Sequence, residues 1–399
     1  MYNETENLKL CQGKNRFFQI IKGRKTIEKQ GGLEMEYRTN RRTGDKISII
    51  GLGASSISQA GEKEGIETLK MAFDNGINYF DLAGGDAECF PYYGKAFESV
   101  RDKVIYQVHF GANYETGSYD WTTNLEKVKK SIAWQLEQLK TNYIDYGFIH
   151  CIDEESDWNA YQKNGILDYI KELKEKGIVK HIGISSHTPE LVHKALDTGL
   201  IDMVMFSINP AYDYKQGAYA NGNVDERMEL YRRCETEGVG ISVMKAFSSG
   251  QLLDERTSPF GKALTKMQCI QYALDKPGVL TILPGIRGKK DLEEILQFNK
   301  ATDEEKDYSI ISEFTPPEAT GKCVYCNHCE PCPMGLDIGL INKYYDLSRA
   351  GDILAKDHYK NLEKTAKDCI QCGHCNTRCP FKVDQMNRMK EIANYFENI

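Results

Sequence analysis

Eight of the thirteen cysteines fall within residues 323–379, in two runs. The first run reads Cys323-x2-Cys326-x2-Cys329-x2-Cys332-Pro333, and the second Cys369-x2-Cys372-x2-Cys375-x3-Cys379-Pro380. Cysteines at every third position wrap a tight loop around three corners of a four-iron cube, and the fourth thiolate has to arrive from elsewhere. In two-cluster ferredoxins the cysteine before the proline reaches across to the other cluster. That rule groups Cys323, Cys326 and Cys329 with Cys379, and Cys369, Cys372 and Cys375 with Cys332, as ligands of two [4Fe–4S] clusters. Disulfides, paired zinc knuckles and structural free thiols are the competing readings. Disulfides need an oxidising compartment that nothing in the chain suggests, and zinc knuckles use two pairs rather than two quartets each closed by Cys-Pro. The remaining cysteines, Cys11, Cys89, Cys151, Cys234 and Cys269, are scattered singly and read as small buried hydrophobes.

A chain of 399 residues is long enough for one large core and a small appendage. With 51 Lys+Arg against 58 Asp+Glu the net charge is −7, and with no long basic run a nucleic-acid partner is not expected. No apolar run approaches the roughly 18 residues of a membrane helix. The opening MYNETENLKL has neither a basic start nor an apolar core region, so no membrane partner and a cytoplasmic location are expected.

Residues 1–34 are polar, basic and without periodicity, and read as an N-terminal tail; Met35 is a second candidate for the native start. From residue 47 short β-branched runs alternate with amphipathic segments. Strands are expected at 47–52, 77–83, 104–110, 144–150, 181–186, 203–209, 240–247 and 279–286. Helical spacing falls between them at 65–75, 125–139, 167–176, 190–198, 226–237 and 262–275, with 290–298 following the last strand. Eight parallel strands joined by helices over about 250 residues close into a (β/α)8 TIM barrel. A doubly wound sheet is the alternative, but Gly51-Leu52-Gly53-Ala54 is only a partial glycine fingerprint. The barrel is thus placed at 35–298, a linker at 299–322 and a mostly helical two-cluster ferredoxin-like domain at 323–399.

In a parallel barrel the C-terminal strand ends face the active site. The expected strands deliver Asp81, His109, His150, Ser185-Ser186-His187, Asn209 and Lys245 there. Two long segments on the same side carry aromatics that would cover substrate or dock a neighbouring domain: 111–123 with Tyr114, Tyr119 and Trp121, and 210–224 with Tyr212, Tyr214 and Tyr219.

At these residues the chain resembles the aldo/keto reductase family. The resemblance is carried by Met35-Glu36-Tyr37-Arg38, Ile50-Gly51-Leu52-Gly53, Gly76-Ile77-Asn78-Tyr79-Phe80-Asp81, Tyr93-Gly94-Lys95-Ala96, the run Tyr143 to His150, His181-Ile182-Gly183-Ile184-Ser185 and Leu283-Pro284-Gly285. Cys-Val-Tyr-Cys-Asn-His-Cys-Glu-Pro-Cys-Pro is similar to the branch with an appended ferredoxin-like domain. The family reduces carbonyls with NADPH, using a tyrosine as proton donor, an aspartate and a lysine that tune it, and a histidine that orients the carbonyl.

The resemblance implies Asp81 for the aspartate, His150 for the histidine, and Tyr93 for the tyrosine because it precedes Gly94. Tyr92 competes with Tyr93, and the segment 84–91 reads as an insertion. His109 stands in the lysine's place, and Lys245 replaces the aromatic that stacks on nicotinamide. The implied cofactor-binding residues are Ser185, Ser186, Asn209, Lys245, Gly285 and Arg287. The family's later arginine and asparagine fall on Asp291 and Ile295, a departure from NADPH recognition.

Iron–sulfur clusters pass single electrons whereas nicotinamide passes a hydride, so a flavin or a substrate reduced in single-electron steps would be needed to couple them. The leading expectation is an oxidoreductase acting on a small carbonyl or alcohol with electrons exchanged through two clusters, with an external redox protein as partner. An NAD(P)H-dependent carbonyl reductase with structural clusters, and an electron carrier or redox sensor with a degenerate barrel, are the alternatives.

Overall fold

The computed structural model describes residues 35–214, 221–314 and 320–398. The tail 1–34 and the alternative start it raises, together with Tyr219, lie outside the described residues. Eight parallel strands form the barrel: β1 (Leu52–Gly53), β2 (Tyr79–Asp81), β3 (Ile105–Phe110), β4 (Ile144–Ile149), β5 (Val179–Ser186), β6 (Met203–Ser207), β7 (Gly240–Met244) and β8 (Val279–Ile282). They are hydrogen-bonded in chain order from β1 to β8, and the parallel bridges Ile50 to Ile282 and Gly53 to Gly285 close the ring.

Strand alternation decides what faces inward. On β3 the side chains of Gln107 and His109 enter the barrel, while Tyr106 packs outward beneath the helices. On β4 Tyr146, Phe148 and His150 point inward. Tyr79, Tyr146, Phe148, Met203, Met205 and Leu280 fill the barrel interior around Ile47. The outer helices start where their caps dictate. Asn124 accepts from the Lys127 amide at 3.0 Å to begin Leu125–Gln138, and Asn223 with Glu226 forms a capping box at Val224–Glu237.

The span 47–52 does not run as one strand. Lys46–Ser48 pairs antiparallel with Tyr37–Thr39, and only residues 50–53 join the barrel. Ile47 is buried in the barrel end opposite the expected site, and the hairpin closes that end, with Arg38 donating to the carbonyls of Leu274 and Val279 at 2.8 and 2.6 Å. Burial of Ile47 rewards the hairpin more than an extra barrel pairing would.

The stretch 299–322 is also not free chain in its first half. Thr302 caps the short helix Asp303–Lys306, Tyr308 and Ile311 are buried in the barrel's core cluster, and Tyr308 donates to Asp275 at 2.8 Å.

Beyond it lie the helices Ile338–Arg349, Ile353–Lys360, His374–Arg378 and Gln385–Glu397 around a second core of Leu336, Ile338, Ile341, Tyr345, Met389 and Ile392. Gly351, with φ 98°, breaks the helical run near 338–354, and Asp352 restarts it as an N-cap. Ile338–Arg349 packs on Val224–Glu237, while Val324, Phe381 and Val383 join the barrel's core cluster.

Candidate active site and cysteine-lined cavities

Three strand ends bring Asp81, His109 and His150 into one line. His109 Nε2 lies 2.6 Å from Asp81 Oδ1, and His109 Nδ1 lies 2.9 Å from His150 Nδ1. Gln107, two residues before His109 on the same face of β3, donates through Nε2 to Asp81 Oδ1 at 2.9 Å. Its own Oε1 accepts from Tyr79 at 2.7 Å and Ser242 at 3.0 Å, which fixes the amide with its donor side toward the carboxylate. All four side chains are buried. Burial, then the neighbouring His109 and His187, holds His150 well below the ordinary imidazole range, so it is neutral at pH 7.

The line continues into the loop after β3. Tyr119 places its hydroxyl 2.8 Å from His150 Nε2, and Trp121 Nε1 donates to the His150 carbonyl at 3.1 Å. Both side chains also reach solvent, Tyr119 at 41% of its surface. The loop is pinned by the segment that follows Asp81 on the neighbouring strand. Ala87 N donates to Gly117 O at 2.9 Å, Tyr119 N donates to Gly85 O at 3.2 Å, and Asp86 pairs with Ser118. Residues 84–88 therefore act as a strut that holds Tyr119 over the two histidines.

Tyr93 sits elsewhere. It lies on the helix Cys89–Phe97, completely buried, edge-on to Phe80 and Tyr106, and its hydroxyl has no hydrogen-bond partner among the described residues. Burial pushes its phenol well above the ordinary range. Gly94 beside it is a packing glycine: a Cβ there would stand 2.1 Å from the Gln138 carbonyl, so the residue lets two helices touch. Tyr92 faces the helix Glu62–Asp74, against Gly65. Of the loop aromatics after β6, Tyr212 and Tyr214 are buried rather than poised over the mouth.

The residues expected to hold a cofactor are unevenly suited to one. Ser185 Oγ accepts from the Cys151 amide at 2.8 Å and lies 3.3 Å from His150 Nδ1. Ser186 donates to the Ile152 carbonyl at 2.5 Å, and Asn209 clasps Tyr212 N and Lys245 O at 2.9 and 2.8 Å. These side chains are spent on the scaffold. Gly285 is exposed, Lys245 is half-buried near Cys151 and Asp153, and Arg287 is exposed and doubly bonded to Asp291 at 2.8 and 3.2 Å. This set does not form a ready nicotinamide cradle.

The cysteines are gathered into two cavities. One is lined by Cys323, Cys326, Cys329 and Cys379 together with Val324, Phe381 and Val383. The other is lined by Cys332, Cys369, Cys372 and Cys375 together with Leu336, Ile370 and Met389. Each set takes three cysteines from one run and the pre-proline cysteine from the other. Burial pushes the Cys326 thiol up to about 11 and Cys323 up to about 12. Four thiols converging on an apolar void are poorly accommodated as thiolates without a cation among them, and their number and chemistry fit a four-iron cube.

The description "Aldo/keto reductase family" matches residues 49–266, more than half of the chain. The chain belongs to the aldo/keto reductase family. Residues 319–383 match a 4Fe-4S dicluster domain. Among curated relatives, L-galactose dehydrogenase of Arabidopsis thaliana is 24% identical over 303 residues, spanning 65% of this chain and 87% of that protein. L-glyceraldehyde 3-phosphate reductase of Escherichia coli (strain K12) is 22% identical over 330 residues, spanning 70% and 92%. The holo form of an aldo-keto reductase from Bacillus halodurans superposes with a TM-score of 0.54 at 22% identity, covering 68% of this chain and 94% of that one.

This aldo/keto reductase is therefore an oxidoreductase with an iron–sulfur domain, and among the described residues no helix is long and apolar enough to cross a membrane. Its barrel joins Asp81, His109 and His150 and leaves Tyr93 apart. Gln107 and Tyr119 are the members of the line that strand ends alone do not reveal. Gln107 was readable from its i, i+2 relation to His109; Tyr119 carried no signal beyond its place in a long aromatic loop.

Proposed function

We propose that this protein interconverts a small carbonyl compound and its alcohol at Asp81, His109 and His150, with electrons exchanged through two [4Fe–4S] clusters held by the two cysteine sets. The carrying observation is that both four-cysteine cavities belong to the chain that buries this line of titratable groups. Bound clusters would supply electrons singly. Cys323, Cys326 and Cys379 pack against the barrel's core cluster, so their set is the one nearer the enzyme half. Cys372 is exposed beside Ile370, which is 59% exposed, so the other set offers the face for an external redox protein. In the barrel, His150 is neutral and buried, with Nδ1 on His109 and Nε2 on the solvent-reaching Tyr119 hydroxyl, so a substrate carbonyl would meet the line at Tyr119.

Anaerobically purified protein should contain about eight irons and absorb broadly near 400 nm. Dithionite-reduced protein, mixed with 4-nitrobenzaldehyde, should be reoxidised with formation of the alcohol. Steady NADPH oxidation that survives cluster removal would instead support a nicotinamide reductase with structural clusters. Inertness toward aldehydes and nicotinamides alike would support an electron carrier.

A further inference from the structure

The side chains of Asp81, His109, His150 and Tyr119 form an unbroken line of contacts of 2.6, 2.9 and 2.8 Å from the barrel interior to solvent. Only one hydrogen fits between the two Nδ1 atoms, so the line has two proton patterns. With both histidines neutral and Asp81 ionised, every hydrogen points inward: Tyr119 O–H to His150 Nε2, His150 Nδ1–H to His109 Nδ1, His109 Nε2–H to Asp81. With one more proton, shared by His109 and Asp81, every hydrogen points outward, and His150 Nε2–H donates to the Tyr119 oxygen. The Gln107 amide, locked by Tyr79 and Ser242, faces Asp81 with its donor in either case.

We propose that Tyr119 is the acid that protonates the substrate oxygen, and that its proton is replaced through His150 and His109 from the proton that His109 shares with Asp81. This rests on the reading of the barrel as a carbonyl-reducing site. As two electrons from the reductant and one proton from solvent form the new C–H bond at the carbonyl carbon, the Tyr119 O–H bond breaks and the substrate O–H bond forms. His150 Nε2–H passes to the Tyr119 oxygen, and His109 Nδ1–H passes to His150 Nδ1. His109 ends neutral and Asp81 ionised, and solvent returns the one proton that the line of side chains has given up. No free phenolate is left, which matters because burial, with Cys151 and Asp120 adding to it, pushes the Tyr119 phenol up to about 12. Where the family resemblance places a lysine to stabilise that charge, this chain has His109, and a relay does the same task without a fixed cation. Tyr119 reaches solvent and touches His150, whereas the Tyr93 hydroxyl is sealed in the core without a hydrogen-bond partner among the described residues.

The test uses the cluster-loaded protein with 15N-labelled histidine. In the resting oxidised protein at pH 8, His150 should be the Nδ1–H tautomer with Nε2 accepting, and Tyr119→Phe should shift the Nε2 resonance. In dithionite-driven reduction of 4-nitrobenzaldehyde, Tyr119→Phe should lower kcat about 10²- to 10³-fold with KM little changed. It should also reduce the solvent deuterium isotope effect. An Nε2–H tautomer at His150 that is blind to Tyr119→Phe overturns the relay, and a larger kcat loss in Tyr93→Phe than in Tyr119→Phe overturns the assignment of the acid. A wild-type protein inert toward aldehydes overturns the reading of the site, whatever the histidine spectrum shows.

Discussion

His109 Nε2 stands 2.6 Å from Asp81 Oδ1 with both side chains out of water. Removing one partner of such a pair leaves the other buried without compensation. His109→Leu should therefore destabilise the barrel by about 3–5 kcal/mol in urea denaturation at pH 7. The double variant His109→Leu with Asp81→Leu should recover most of that loss, because no charge is left inside. A single-variant cost below about 1 kcal/mol would mean that Asp81 is adequately held by Gln107 alone.

His150 gives the barrel a pH dependence with a definite sign. Its folded pKa is depressed by burial first, then by His109 and His187, so the unfolded chain binds a proton that the folded one refuses. Stability from this group is complete above the unfolded value near 6.5 and falls as pH drops below it, by about 1.4 kcal/mol per unit. His150→Gln should flatten the slope between pH 6.5 and 5.5, measured by urea midpoints. An unchanged slope would place the titrating group elsewhere.

The two cavities make the cysteine grouping testable by iron counting. Cys332 and Cys375 line the same cavity, whereas Cys329 and Cys375 line different ones. The double variant Cys332→Ala with Cys375→Ala should retain about four of about eight irons, and Cys329→Ala with Cys375→Ala should lose nearly all. Loss of nearly all iron in both double variants would mean that each sequence run closes its own cluster.

Gly94 is a packing position rather than a chemical one. Its missing Cβ would stand 2.1 Å from the Gln138 carbonyl, a backbone atom that cannot swing aside. Gly94→Ala should force the helices Cys89–Phe97 and Leu125–Gln138 apart and cost about 2–3 kcal/mol by overpacking, read as a lower denaturation midpoint.

The pair Tyr93-Gly94 shows where the chain read alone goes astray. A tyrosine before a glycine resembles a catalytic motif, yet this glycine answers to helix contact, and the tyrosine before it points into the core between Phe80, Phe97 and Tyr106. The segment 84–91, which reads as an insertion, contains the strut that pairs with residues 117–119. Ile47 likewise belongs to a strand pattern by sequence and to the barrel's closing hairpin by burial.

The amino-acid order alone determined the eight-strand barrel, the helical cysteine-rich end and the strand ends that carry Asp81, His109 and His150. Those features follow from period-2 and period-3.6 patterns and from spacings within one loop, which are local physics. Only the tertiary structure decided that Tyr119 meets His150, that Gln107 orients Asp81, and that Tyr93 is sealed away. Those contacts join residues 26 to 31 positions apart, and which of several tyrosines completes a buried line depends on how loops close over it, a matter of packing that no local pattern records.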